Sequence, residues 1–276
     1  MKKIGFIDYY LDEWHANEYP AMIARLGGDA FTVAYAYGKI DSPLGGLTNA
    51  QWADKYGVTL CDTIEEVVEK SDCLIVLAPD NAEQHVALTE CALKSGKPVF
   101  IDKTFSATKA DAEAIFAFAD AGNAPCFSSS ALRFSPKLNA VETDGIRCVV
   151  GIGCGAPDQY LVHQLEPIAT LMGCDFDSVM YLQNNDVPSW VLRFADGRTA
   201  QFTLSTDAPF DFKVCYQDRT VDLMVDDNFF DYEIQKILHM FETGEVAVDH
   251  RDTVAIMAAR EACLTAMATP FAWVAV

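Results

Sequence analysis

Apolar positions in the first half of the chain fall in short continuous runs, and amphipathic stretches separate them. This is the pattern of buried strands alternating with helices. Strands are predicted over residues 4–7, 31–37, 73–77, 99–101 and 125–128. Between them helices are predicted over 14–26, stopped by Gly27-Gly28, and over 49–56, closed by Gly57. Thr63 with Glu66 three residues on has the form of a capping box and opens a helix that runs to Lys70. Further helices are expected over 82–95 and 109–121. Repeated strand–helix–strand units of this length imply a parallel, doubly wound sheet.

The pattern changes near Phe134. After a short helix over 136–141, strands follow in succession over 147–154, 178–183, 189–194, 199–205, 212–216 and 220–225, with helices over 231–242 and 251–268 at the end. Asp196-Gly197 between two of these runs is a strong hairpin signal. The expected architecture is α/β: an N-terminal Rossmann-type doubly wound parallel sheet in residues 1–132, then an α+β domain with a mostly antiparallel open sheet in 133–276. With few helices left to cover that second sheet, the apolar positions alternating through 189–205 are expected to pack against another subunit, which gives a homo-oligomer, a dimer or higher.

Composition narrows the partners. Forty acidic against twenty basic side chains give a formal charge of −20 over 276 residues, so nucleic acid and anionic membranes are poor partners. No apolar run reaches the length of a membrane span, and the N-terminal run stops too early for a signal peptide. The nine cysteines include no C-x-x-C pair and several sit in apolar runs, which fits a reduced, cytoplasmic protein without a structural zinc site. His15 stands near Asp8, Asp12 and Glu13, but carboxylates at a helix start are favoured there by the dipole alone, and no metal site is expected. His250-Arg251-Asp252 imitates a kinase triplet by chance, since no glycine-rich loop accompanies it.

The stretch from Ser71 through Leu77-Ala78-Pro79-Asp80-Asn81 and His85 to Gly96-Lys97-Pro98-Val99 and Asp102-Lys103-Thr104 resembles the Gfo/Idh/MocA oxidoreductases. So do Val162-His163-Gln164-Leu165-Glu166-Pro167 and Leu171-Met172-Gly173, and the likeness runs through the chain in order. The resemblance implies NAD or NADP as cofactor, with Ala78, Pro79, Asn81, His85 and Lys103 lining its site. It implies that Lys103 lies near the nicotinamide and the substrate hydroxyl, where an ammonium stabilises a developing alkoxide. It implies that His163 is the general acid/base, because a group of near-neutral pKa can take a hydroxyl proton. Lys103 and His163 are then expected to face one pocket from opposite domains. The bland alternatives are a solvated lysine at a strand end and a helix-lining histidine bonded to Glu166.

Two departures stand out. Where the family often has an aspartate one turn before the histidine, this chain has Gln159, with Asp158 one position earlier. Glu166, three residues after His163 on the same helix face, is the expected substitute that orients it. At the first turn the family's G-x-G-x-x-G is replaced by Asp8-Tyr9-Tyr10-Leu11-Asp12-Glu13. Those glycines let the backbone approach a pyrophosphate at a helix N-terminus. A carboxylate about 5 Å from a phosphate costs roughly 3 kcal/mol at an effective dielectric near 20. Nor does the second strand supply a ribose-binding acid, since Lys39 stands near that place. Two functions remain open. One is an NAD(P)-dependent oxidoreductase acting on a hydroxyl of a sugar- or polyol-like small molecule. The other is a non-redox ligand-binding or regulatory member that has lost dinucleotide binding.

Overall fold

The computed structural model describes residues 1–183 and 187–276. They group into two units, Met1–Ser129 with Glu233–His250, and Ser130–Tyr232 with Arg251–Val276.

The first unit holds six strands, β1 (Lys2–Asp8), β2 (Phe31–Gly38), β3 (Thr59–Leu60), β4 (Cys73–Val76), β5 (Val99–Ile101) and β6 (Cys126–Phe127). All pair in parallel, in the order β3-β2-β1-β4-β5-β6. Helices α1 (Trp14–Gly27), α2 (Asn49–Tyr56), α3 (Ile64–Lys70), α4 (His85–Lys94) and α5 (Lys109–Gly122) connect them. β4 and β5 are fully buried, as continuous apolar runs covered on both faces must be. Where α3 crosses β1, a Cβ on Gly5 would stand 2.3 Å from Ser71 Oγ, so only glycine allows that approach. Thr63 caps α3 by accepting from the Glu66 amide, while the Glu66 carboxylate takes the Asp62 amide, one residue earlier than a closed box requires.

The second unit contains α6 (Pro136–Asn139), β7 (Cys148–Gly153), α7 (Pro157–Tyr160), α8 (Val162–Met172), β8 (Phe176–Leu182), β9 (Ser189–Phe194), β10 (Thr199–Leu204), β11 (Asp211–Cys215) and β12 (Thr220–Met224). Helices α9 (Phe229–Thr243) and α10 (His250–Ala266) and strand β13 (Trp273–Ala275) follow. The sheet order is β12-β11-β7-β10-β9-β8-β13, and every described pair is antiparallel except β7 with β10. The Asp196-Gly197 turn closes the β9–β10 hairpin, with Gly197 at φ +87°, a conformation that residues with a Cβ avoid.

Two expectations change. Most of α9 belongs to the first unit: the Tyr19 hydroxyl donates to Glu233 (2.8 Å), Lys2 bonds the Phe241 carbonyl, and the Phe31 and Phe241 rings lie 6.4 Å apart. Long-range burial of its apolar stripe, which no local pattern reveals, draws the chain back. Second, the alternating apolar residues expected to meet another subunit are already covered. Trp190, Leu192, Phe202 and Leu204 are at most 1% exposed, and the Trp190 indole donates to the Cys263 carbonyl of α10 at 3.0 Å. The opposite face carries Val150 and Ile152, exposed by 39% and 37%. Among the described residues no helix is long and apolar enough to cross a membrane.

Candidate functional site

In a doubly wound sheet the ligand end is the carboxyl end of the strands, where the loops diverge. β1 ends at Asp8, β4 leads into Leu77-Ala78-Pro79-Asp80-Asn81, and β5 leads into Asp102-Lys103-Thr104.

The loops after β4 and β5 are clamped together by His85. Its Nδ1 lies 2.9 Å from the Phe105 carbonyl and its Nε2 2.5 Å from the Leu77 carbonyl. The ring is fully buried, and burial pushes its pKa down. Both ring nitrogens thus lie against backbone oxygens of the two loops. Ala78 adopts φ +75° at 2% exposure, a left-handed conformation that costs a side-chain-bearing residue roughly 1–2 kcal/mol. Asn81 donates its amide to the Ala78 carbonyl at 3.0 Å and its side chain to Glu83. Lys103 Nζ reaches back to the Pro79 carbonyl (3.5 Å) and stands 3.9 Å from Asp80 Oδ1, its side chain only 11% exposed. Thus Ala78, Pro79, Asn81 and Lys103 share one corner, while His85 holds it from beneath.

The turn after β1 is filled by its own residues. Glu13 precedes α1, and its carboxylate accepts the amides of His15 (2.8 Å) and Ala16. These are the N–H groups at a helix start that would otherwise receive a phosphate. His15 Nδ1 lies 3.2 Å from Glu13 Oε2 and 3.5 Å from Asp102 Oδ2. Asp8 is 1% exposed, with Oδ1 accepting the Tyr9 amide and Oδ2 lacking a hydrogen-bond partner among the described residues. Burial raises the Asp8 pKa well above the usual carboxylate range, and the nearby Glu13 and Asp102 add to the rise. Burial also raises Asp102, against the pull of His15 and Lys103. Tyr10 and Leu11 are 7% and 0% exposed, so the middle of the turn is packed side chain.

Asp12 corrects the picture of three acids crowding one point. It faces away, accepting the Leu47 amide at 2.8 Å and the Asn17 side chain at 3.1 Å. A Cβ on Gly46 would meet its Oδ2 at 2.4 Å, which explains the glycine there. Asn49 ties the turn to the segment after β2, accepting from Leu11 N and donating to the Gly38 and Ile40 carbonyls. Backbone bonds from Lys39 N to Asp8 O (3.1 Å) and from Ile40 N to Tyr9 O (2.9 Å) extend that seam. Lys39 itself donates to Gln84 at 2.8 Å.

The second unit organises its residues around α8. Ser130 Oγ and His163 Nδ1 share a hydrogen bond of 2.7 Å, and the imidazole packs edge-on to Tyr160 with ring centres 5.1 Å apart. Glu166 is not the group that orients it: its oxygens go to Arg133 Nε and the Ser130 amide, and burial raises its pKa against the pull of Arg133. Asp158 is likewise engaged, by Arg260 at 2.6 Å. Gln164 went unread in the sequence. It is fully buried, with Oε1 and Nε2 lacking hydrogen-bond partners among the described residues, and it lies over Gly151 and Gly153, where a Cβ would come within 2.6 Å and 2.2 Å of its amide atoms. Two glycines on one face of β7 were the available signal. Among the described residues no group of three or more His, Cys, Asp and Glu is placed to hold a metal ion.

Strand order and ligand-end loops define a Rossmann-type α/β protein. Residues 46–129 match the family model described as "Oxidoreductase family, NAD-binding Rossmann fold", the Gfo/Idh/MocA family, and the resemblance read from the sequence holds. The β1–α1 turn lies outside the matched stretch. The UDP-N-acetylglucosamine 3-dehydrogenase of Acidithiobacillus ferrooxidans superposes with a TM-score of 0.79 at 14% identity, covering 96% of this chain and 97% of that one. The scyllo-inositol dehydrogenase of Lactobacillus casei gives 0.78 at 13% identity, over 99% and 98%. The biliverdin reductase of Synechocystis, solved with biliverdin and NADP+, gives 0.72 at 15% identity, over 96% and 98%. At such identities the likeness establishes the fold. No curated protein matches the chain in sequence.

The fold class is one that binds NAD, but the residues at this first turn do not fit a dinucleotide's pyrophosphate. Glu13 already takes the helix-start amides, Tyr10 and Leu11 are packed side chains where the fold class has glycine, and Asp8 is a buried carboxyl at the end of β1.

Proposed function

We propose that this chain binds a small sugar- or polyol-like molecule at the carboxyl ends of β1, β4 and β5 and does not grip a dinucleotide at its first turn, making it a non-redox relative of the oxidoreductases it resembles. Glu13 carries this reading: an internal carboxylate occupies the anion position of α1. Asp8 Oδ2 and Thr104 Oγ1, buried without hydrogen-bond partners among the described residues, are groups that ligand hydroxyls would satisfy. The left-handed Ala78 supports a binding role for that corner, since strained backbone gathers at ligand sites. Dehydrogenases named for inositol and an amino sugar share the fold, which favours a hydroxylated ligand.

A second reading, an NAD(P)-dependent oxidoreductase acting on that hydroxyl, is favoured by the matched stretch and by Lys103. On that reading Ala78, Pro79, Asn81 and Lys103 hold the cofactor in place of the first turn.

Equilibrium titration with NADH and NADPH, followed by fluorescence, separates the two. We expect no saturation below about 100 µM, which is on the order of a hundredfold weaker than a fitted site, from one misplaced charge. Sub-micromolar binding would overturn the first reading and establish the second. Thermal shifts with myo-inositol and hexoses in the absence of nucleotide then test the ligand class.

A further inference from the structure

The outer face of β7 carries Cys148, Val150 and Ile152, and the outer face of β11 carries Asp211, Lys213 and Cys215. The register of this antiparallel pair places Cys148 directly opposite Cys215. No other described strand pairing sets two cysteines against each other. Directly opposed residues in such a ladder have Cα atoms about 4.5–5.5 Å apart, within the roughly 4.4–6.8 Å that a disulfide spans. Both thiols are free and half-buried, and Thr199 Oγ1 lies 3.9 Å from Cys148 Sγ. Cys61, Cys73, Cys126 and Cys263 are buried.

We propose that Cys148 and Cys215 form a cross-strand dithiol, a modification site that closes to a disulfide by exchange with a low-molecular-weight disulfide such as oxidised glutathione. One protein thiolate attacks a glutathione sulfur and releases the first glutathione thiol. The second protein thiolate then attacks the protein-bound sulfur and releases the other. Both protein sulfurs are oxidised, both glutathione sulfurs are reduced, and the two protein protons end on the glutathione thiols. Burial pushes the Cys148 thiol up, so the exchange quickens as pH rises and more thiolate forms. The inner face of β7 carries Gly151 and Gly153 against Gln164, so the bond stiffens the strand that backs α8.

The test is incubation of the full chain with oxidised glutathione, alkylation of the remaining thiols and peptide mapping. The expected result is a Cys148–Cys215 cross-link, reversed by dithiothreitol, with a Tm higher by about 5 °C. Cys148→Ser and Cys215→Ser should each fold as the parent does by circular dichroism, lose the cross-link, and hold glutathione on the cysteine that remains. The proposal is overturned if both thiols stay fully alkylatable, if the cross-link joins another pair, or if the bond forms between two chains.

Discussion

The turn after β1 and the loops after β4 and β5 stand at the same end of one parallel sheet, yet they are built on different principles. After β4 and β5, a buried imidazole joins two backbone carbonyls and leaves Ala78, Pro79 and Lys103 grouped at a strained corner. After β1, side chains fill the space themselves: Glu13 caps α1, Tyr10 and Leu11 pack the turn, and Asn49 stitches it to the segment after β2. Loops at a sheet end answer mainly to their own local bonds, so one can keep the features of its fold class while its neighbour exchanges glycine for carboxylate. On the reading proposed above, a dinucleotide would need both, and the first turn does not offer its share.

The largest effect should come from breaking the clamp. His85→Ala removes the ring that lies between the Leu77 and Phe105 carbonyls, together with the single N–H that a neutral imidazole donates to one of them, and opens a cavity in a dry site. We expect a loss of about 3 kcal/mol, read as a fall in Tm of roughly 6–10 °C. An unchanged Tm would show that the corner is not held by this ring.

The turn can be tested by giving back what it lacks. Neutralising it as Asp8→Asn with Glu13→Gln should strengthen NADH binding on the order of a hundredfold by removing like charge. Adding Tyr10→Gly should give a further gain, because a Cβ and ring no longer block backbone approach. If the double variant gains everything and the glycine adds nothing, charge alone excludes the dinucleotide. No gain in either variant would mean that the Asn49 seam is the barrier.

The smallest effect concerns pH. Asp8 has a raised folded pKa, so the folded chain keeps this proton where the unfolded chain has already lost it. Its contribution to stability is complete below the ordinary carboxylate range and is lost as pH rises through the raised value. Asp8→Asn cannot ionise, so it should be more stable than the parent at neutral pH by about 1 kcal/mol, with the difference vanishing near pH 3–4. Denaturant titrations at several pH values check this, and a pH-independent difference would remove the buried charge from the account.

Much of the first sheet was legible because parallel strands covered on both faces read as unbroken apolar runs, as Cys73–Val76 does. The Asp196-Gly197 hairpin and the Thr63 cap were legible for a related reason: their chemistry is completed within a few residues. The edge strands β3 and β13 were not, since their two or three residues gain strand identity only from the neighbour they pair with. The same limit hid the partner of His163. Glu166 is near it in sequence, but Ser130, thirty-three positions away, makes the bond.

The amino-acid sequence by itself determined the alternation of strand and helix, the acidic surface, the lysine after β5 and the absence of glycine from the first turn. These are properties of residue identity and short-range pattern. Only the tertiary structure decided that Glu13 turns inward to cap its own helix while Asp12 turns away to Leu47, that Asp8 is dry, and that His85 lies against backbone carbonyls. A carboxylate or an imidazole has the same chemistry wherever it is written in the chain. What it does depends on the burial and partners that distant segments bring to it, and those exist only once the chain has folded.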